Sequence, residues 1–271
     1  MALLKDEFVG SRSHPLPLEH QSFSAVARPS NGAHLLAPLR SFDPNCPEMI
    51  DQPGVAPRLV REELEILESA NRRFGGHRLA LRYVRRLIHS INSARLSILD
   101  LATGAADVPR AIAAWCRQRQ LPVNIIAVDG NSEVLHIASE SCRDWPEIRL
   151  EQYDLRALPY PPASYDLVLC SLALHHFDWN DAVAVLRRIQ ELARVGYVVT
   201  DLRRNWAAIW TAELLAHTLI RSEIARHDGP QSCRAAFTVG ELHTLARQAG
   251  LRNFQIKRHH VMLRMVLEGR K

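Results

Sequence analysis

The stretch Leu96-Ser-Ile-Leu-Asp-Leu-Ala-Thr-Gly-Ala-Ala-Asp107 decides the fold. Leu96 to Leu101 is an apolar run of strand length, and the next five residues, Ala102 to Ala106, are all small. Small residues suit a backbone that turns sharply from strand to helix and passes close to whatever lies beyond the strand. Asp107 then precedes the helical run Val108 to Arg117, which it is placed to cap. Strand, tight turn and helix in that order make the first unit of an α/β domain.

Downstream the alternation continues. Val123 to Val128 reads as a second strand, Ser132 to Cys142 as a helix, Ile148 to Tyr153 as a third strand and Tyr165 to Cys170 as a fourth. A helix from Asn180 to Ala193 leads to a fifth strand, Gly196 to Thr200, and then to one long helix, Trp206 to Arg226. Thr238 and Glu241 have capping-box spacing and open a helix that stops at Gly250. Asn253 to Lys257 and Val261 to Leu267 close the chain as two strands with no helix between them, hence an antiparallel pair. The expected fold is α/β: a doubly wound, mostly parallel sheet with a terminal antiparallel strand.

Upstream, two amphipathic helices precede any strand. One carries Leu59, Val60, Leu64, Leu67 and Ala70 and ends at Gly75-Gly76; the other carries Leu79, Tyr83, Val84, Leu87 and Ile88. They predict an N-terminal helical cap over 48–92, separate from the sheet domain over 93–271. Residues 1–47 hold six prolines among many Ser, His and Asn and predict a disordered or loosely attached tail.

Composition narrows the function classes. Forty-seven per cent of the residues are hydrophobic, enough for a sizeable core, yet no run reaches the ~18 apolar residues of a membrane span. Lys5 and Asp6 interrupt the N-terminus too early for a signal peptide. The five cysteines are scattered with no C-x-x-C, so neither a disulfide framework nor a metal site is expected, and a cytoplasmic location follows. The formal charge of +5 raises nucleic acid as a partner. The basic residues are mostly Arg pairs spread over helices, such as Arg85-Arg86 and Arg187-Arg188, which favours solvated helix surface instead.

In an open α/β sheet a ligand sits beyond the carboxyl ends of the strands, at the switch point beside the first. The loop after Asp100 lies there. By itself it suits a plain strand–helix turn as well as a ligand cradle. Asp129 ends the second strand about twenty residues on, where a carboxylate accepts hydrogen bonds from both hydroxyls of a ribose. The competing role for an acid there, capping the next helix, suits Asn131 or Ser132 better. Asp154 follows the third strand, placed to accept from adenine's exocyclic amine, with Leu155 to pack on the ring.

The order D-x-A-x-G-x-x-D (100–107), V-D-G-N (128–131), Y-D-L (153–155) and Y-D-L-V-L-C-S-L-A-L-H-H (165–176) resembles class I S-adenosylmethionine-dependent methyltransferases. The L-A-L-H-H segment (172–176) is similar to the ubiquinone/menaquinone-biosynthesis type. V-V-T-D-L-R-R-N (198–205) and R-H-D-G-P-Q-S (226–232) resemble a bacterial small-molecule subgroup. The resemblance covers about residues 47–271. It implies a Rossmann-like fold and S-adenosyl-L-methionine as cofactor, held by Asp100, Ala102, Gly104, Asp129, Gly130, Asn131, Asp154 and Leu155. It also places Ser171 and Leu172 beside the methionine part. Ala102 and Ala106 stand where most relatives have Gly, so a methyl group narrows the cleft.

A sulfonium methyl needs alignment more than acid–base help, but a phenol must lose its proton. His227 with Asp228, expected in a loop with Gly229-Pro230 that closes over the crevice, is the first candidate base, and His176 the reserve. The adjacent pair His175-His176 should point its rings apart, a poor arrangement for a metal. The helix from Trp206 is apolar around most of its circumference, which suits core packing or a lining for a greasy substrate. The leading expectation is O-methylation of a phenolic hydroxyl on a small aromatic or lipophilic molecule in secondary metabolism. C-methylation of a quinone precursor, a non-catalytic cofactor-binding scaffold and an RNA methyltransferase stay open beside it.

Overall fold

The structure is a computed structural model and describes residues 37–52, 54–89, 91, 94–218, 220 and 222–271. Two helices, α1 (Pro57–Arg73) and α2 (Gly76–Ile88), precede the first strand, β1 (Leu96–Leu101). Then come α3 (Asp107–Gln118), β2 (Val123–Asp129), α4 (Ser132–Ser141), β3 (Ile148–Gln152) and β4 (Tyr165–Ser171). The chain continues through α5 (Trp179–Leu192), β5 (Ala193–Leu202), α6 (Trp206–Thr218), α7 (Glu223–Ala235) and α8 (Val239–Gln248). It ends in the hairpin β6 (Phe254–His259) and β7 (Arg264–Arg270).

The seven strands form one sheet in the order β3-β2-β1-β4-β5-β7-β6. β1 to β5 run parallel, and β7 inserts antiparallel between β5 and β6. The Rossmann-like expectation holds, with the hairpin placing its second strand inward and its first at the edge. From β1 the chain winds one way through β2 and β3, then returns to β4 on the other side. That reversal opens a crevice beyond the ends of β1 and β4. Neighbouring residues of β1 serve opposite faces: Ile98 packs in the layer of α2 and α3, and Leu99 in the layer of α5 and α8. Burial on both sides explains why β1, β2 and β4 read as near-continuous apolar runs.

Caps appear where the residues predict them. Asn131 Oδ1 accepts from the backbone N–H of Glu133 and Val134 at the start of α4. Thr238 and Glu241 form the full capping box of α8, and Gly250, at φ +77°, ends that segment. Asp107 does not cap α3; its carboxylate accepts from Asn71 Nδ2 and meets His77 Nε2, both at 2.8 Å.

Three larger expectations change. The expected long helix from Trp206 to Arg226 is two helices, because Ser222 Oγ accepts from Ala225 N–H and starts α7 afresh. His227-Asp228-Gly229-Pro230 therefore lies inside α7 rather than in a closing loop. Second, α2 packs on the sheet: Leu79, Tyr83, Val84 and Leu87 are buried against it, while α1 lines the crevice with Leu64 and Leu67. Third, the end of the expected tail is anchored. Arg40 donates to the carbonyls of Ala235 at 2.5 Å, Phe177 at 2.7 Å and His175 at 3.1 Å, and its guanidinium lies 3.8 Å from the Phe237 ring centroid. Residues 1–36 of that expectation lie outside the described residues.

Candidate active site

The loop after β1 adopts a left-handed backbone at three alternate positions, Ala102 (φ 53°), Gly104 (φ 55°) and Ala106 (φ 56°). For an alanine this conformation costs roughly 1–2 kcal/mol, so the surroundings must hold the loop in place. They do: Thr103 N–H donates to Val128 O at 2.9 Å, and Thr103 Oγ1 donates to Asp100 Oδ2 at 2.7 Å. Gly104 N–H donates to Asp129 Oδ2 at 3.0 Å, tying the loop to the end of β2. The other oxygen of Asp100, Oδ1, is buried without a partner. Burial pushes this carboxyl up to about 7, against the lowering effect of the Thr103 hydroxyl.

Asp129 accepts from Gly104 N–H on one oxygen and from Asn131 N–H on the other, and each oxygen keeps a second lone pair. Burial raises its pKa, opposed by those backbone donors. Gly130 O accepts from Gln152 Nε2 at 3.0 Å, closing the cradle between β2 and β3. Asp154 lines the same cavity, but Arg156 clasps its carboxylate through Nε at 3.0 Å and Nη2 at 2.7 Å. That clasp holds the Asp154 carboxyl below its ordinary value despite the opposing effect of burial. Leu155 is buried beside it.

At the end of β4, Thr200 Oγ1 donates to Ser171 Oγ at 3.0 Å. Leu172, at φ 56°, donates its N–H to Thr200 O at 2.8 Å. The chain then makes a short 3₁₀ turn, Leu174–His176. His175 and His176 do not point apart: their ring centroids are 4.4 Å apart with planes inclined by 35°. The Nδ1 atoms meet carboxylates, His175 at Asp201 Oδ1 (2.6 Å) and His176 at Asp51 Oδ2 (3.1 Å). Both Nε2 atoms face Glu48, at 3.6 and 3.7 Å. For His176, burial favours the neutral ring, but the Asp51 hydrogen bond and the charges of Glu48, Asp51 and Asp201 together raise its pKa to about 9.

The first-choice base is misplaced. His227 lies outside the cavity lining, and its half-exposed ring meets Asp228 Oδ1 at 2.8 Å. Asp228 does line the cavity, but its carboxylate accepts from the backbone N–H of Met49 and Ile50. The residues not anticipated, Glu48, Asp51 and Asp201, come from two sources. Asp201 lies near the end of β5, a position like that of Asp129; Glu48 and Asp51 sit at a single 3₁₀ turn, Met49–Asp51, too short to carry a periodic signal.

One cavity of about 1370 Å³ joins these parts. The small-residue loop, Asp129 and Leu155 form one end, and Glu48, Asp51, His175 and His176 line another part. Leu64 and Leu67 of α1, Phe74 just past its end, and Ala212 and Leu215 of α6 supply apolar wall. The outward residues of α6, Trp206, Trp210 and Leu214, are exposed, which accounts for a helix apolar on nearly every side.

Residues 98–196 match the family model of the methyltransferase domain. A demethylmenaquinone methyltransferase of Deinococcus radiodurans is 32% identical over 94 residues, covering 34% of this chain and 37% of that protein. An uncharacterized methyltransferase of Bacillus subtilis is 28% identical over 100 residues, covering 36% and 35%. The matched segment thus spans about a third of the length of either relative. Among solved structures, an S-adenosylmethionine-dependent methyltransferase from Aquifex aeolicus superposes with a TM-score of 0.53 at 11% identity, covering 78% of this chain and 97% of that one. Human N-acetylserotonin methyltransferase gives 0.55 at 17% identity, covering 80% and 56%. Identities this low show a shared fold. The match over 98–196, the strand order and the acids at the ends of β1 and β2 agree that the chain carries an S-adenosylmethionine-dependent methyltransferase domain.

Proposed function

We propose that the protein methylates a hydroxyl of a small aromatic or lipophilic acceptor, using S-adenosylmethionine. The observation that carries this reading is the cavity: at about 1370 Å³ it exceeds the roughly 300–1,000 Å³ of a one-ligand pocket, so cofactor and acceptor have room side by side. The residues fit a cationic nucleoside. Asp129 has free lone pairs for two ribose hydroxyls, Leu155 offers an apolar face to the base, and the unpartnered Asp100 Oδ1 lies beneath the loop. When bound, S-adenosylmethionine supplies a methyl group already activated for transfer. The chain's task is to exclude water, align the acceptor oxygen and take up its proton.

The α1 and α6 side chains exclude water from the acceptor end. The Glu48 carboxylate, held between His175 and His176, which Asp201 and Asp51 orient, takes the hydroxyl proton in place of the anticipated His227. The test is turnover of labelled S-adenosylmethionine by the full chain on a panel of phenols, hydroxylated quinones and RNA. Label on a phenolic oxygen, lost in His176→Ala and kept in His227→Ala, is the expected result. Label found only on carbon or in RNA overturns the reading.

A further inference from the structure

The side chains gathered at the acceptor end are arranged for more than proton transfer. His175 Nε2 lies 3.6 Å from Glu48 Oε1, and His176 Nε2 lies 3.7 Å from Glu48 Oε2. One donor atom from each of the three residues falls within 4.8 Å of the other two. These spacings are too long for good hydrogen bonds. They are close to the edge of a tetrahedron around a divalent ion, about 3.3–3.5 Å for ligand bonds of about 2.0–2.2 Å.

The outer contacts agree. Each imidazole gives its Nδ1 to a carboxylate, His175 to Asp201 at 2.6 Å and His176 to Asp51 at 3.1 Å. A carboxylate on one ring nitrogen fixes the tautomer that leaves the other nitrogen's lone pair for a metal. Glu48 is itself oriented, because Ser232 Oγ donates to its Oε1. The surroundings are enclosed: His175 is 3% exposed and Asp201 1%. Two imidazoles face three carboxylates here, and a divalent cation would balance that excess of negative charge. All three inner residues also line the cavity, so a fourth coordination position would open toward the acceptor.

We propose that Glu48, His175 and His176 bind a divalent transition-metal ion of the zinc class, with Asp51 and Asp201 as their outer supports. Three protein ligands and one open position form the arrangement of a catalytic rather than a structural zinc site. Only the ion's role, not its binding, rests on the acceptor reading above. An acceptor hydroxyl at the open position would lose its proton near neutral pH, the O–H pair staying on oxygen and the proton passing to solvent water rather than to the three ligands. That pair would form the new O–C bond as the S–C pair returns to sulfur.

The test is titration of the metal-stripped full chain with Co²⁺ as a visible-spectrum probe, followed by displacement with Zn²⁺. The expected result is one saturable site per chain with the ligand-field bands of a four-coordinate ion. Glu48→Gln and His176→Gln should each weaken binding by at least about tenfold, and Asp201→Asn by about 10–100-fold. Cys46→Ser and His227→Gln, which remove donors outside the cluster, should leave it unchanged. Titration of the same samples with S-adenosylmethionine, metal-free, checks that the variants are folded and separates the two readings. If Co²⁺ binds in no fixed ratio, or equally well to Glu48→Gln and His176→Gln, the cluster is an ion-pair network only and the proposal falls.

Discussion

Burial holds the carboxyl of Asp100 near 7, well above its ordinary value of 3.8. The unfolded chain ionises this group freely above about pH 4, whereas the folded chain does not until about pH 7. The stability of the cofactor-free protein therefore falls through that window on account of Asp100, then levels off. Asp100→Asn should melt above the native protein at pH 8 and much nearer to it at about pH 4, as measured by calorimetric scans at the two pH values. Ala102 provides a second check. Its left-handed backbone is strained for any residue with a Cβ, so Ala102→Gly should stabilise by about 1 kcal/mol in denaturant titrations. Destabilisation would show that methyl contacts outweigh the strain. Asp129 was legible in the sequence because a carboxylate at a strand's carboxyl end has few structural reasons to be there. The clasp of Asp154 by Arg156 was not, since a side chain two residues away carries no periodic signature.

Helix starts that rest on local chemistry, Asn131 for α4 and Thr238 with Glu241 for α8, were legible in the residues themselves. The break between α6 and α7 was not, because apolar residues continue across it and a lone Ser222 is a weak mark. Pro230 also misleads: it lies within α7, although a proline there removes an intrahelical hydrogen bond. The anchoring of residues 37–47 depends on long-range contacts that composition does not reveal. Arg40 straps the His175–Phe177 turn to the end of α7, so Arg40→Ala, or a chain beginning at Glu48, should lower the melting temperature by several degrees. An unchanged melt would return this segment to the status of a loose tail. At the sheet's far side, a Cβ on Gly269 would collide with the ring of the fully buried Tyr197. Gly269→Ala should cost about 3 kcal/mol or more in stability, read by the same denaturant titrations.

At the scale of the molecule, the strand order carries the function, because it opens a crevice where the ends of β1, β2 and β4 deliver their residues to one cavity. The sheet was legible from alternating apolar runs. The proposed acceptor end was not, because it is assembled from Glu48 and Asp51 before α1, the turn after β4, and Asp201 near the end of β5. Only the fold brings those together. The claim on which the rest depends is that the loop after β1 and Asp129 hold S-adenosylmethionine. Calorimetric titration of the full chain with that cofactor tests it directly. One cofactor should bind per chain, and Asp129→Ala should weaken it at least about tenfold, as expected when hydrogen bonds to a charged group worth roughly 1.5–3 kcal/mol are lost. Absence of binding to the native chain, or equal affinity in Asp129→Ala, would contradict it.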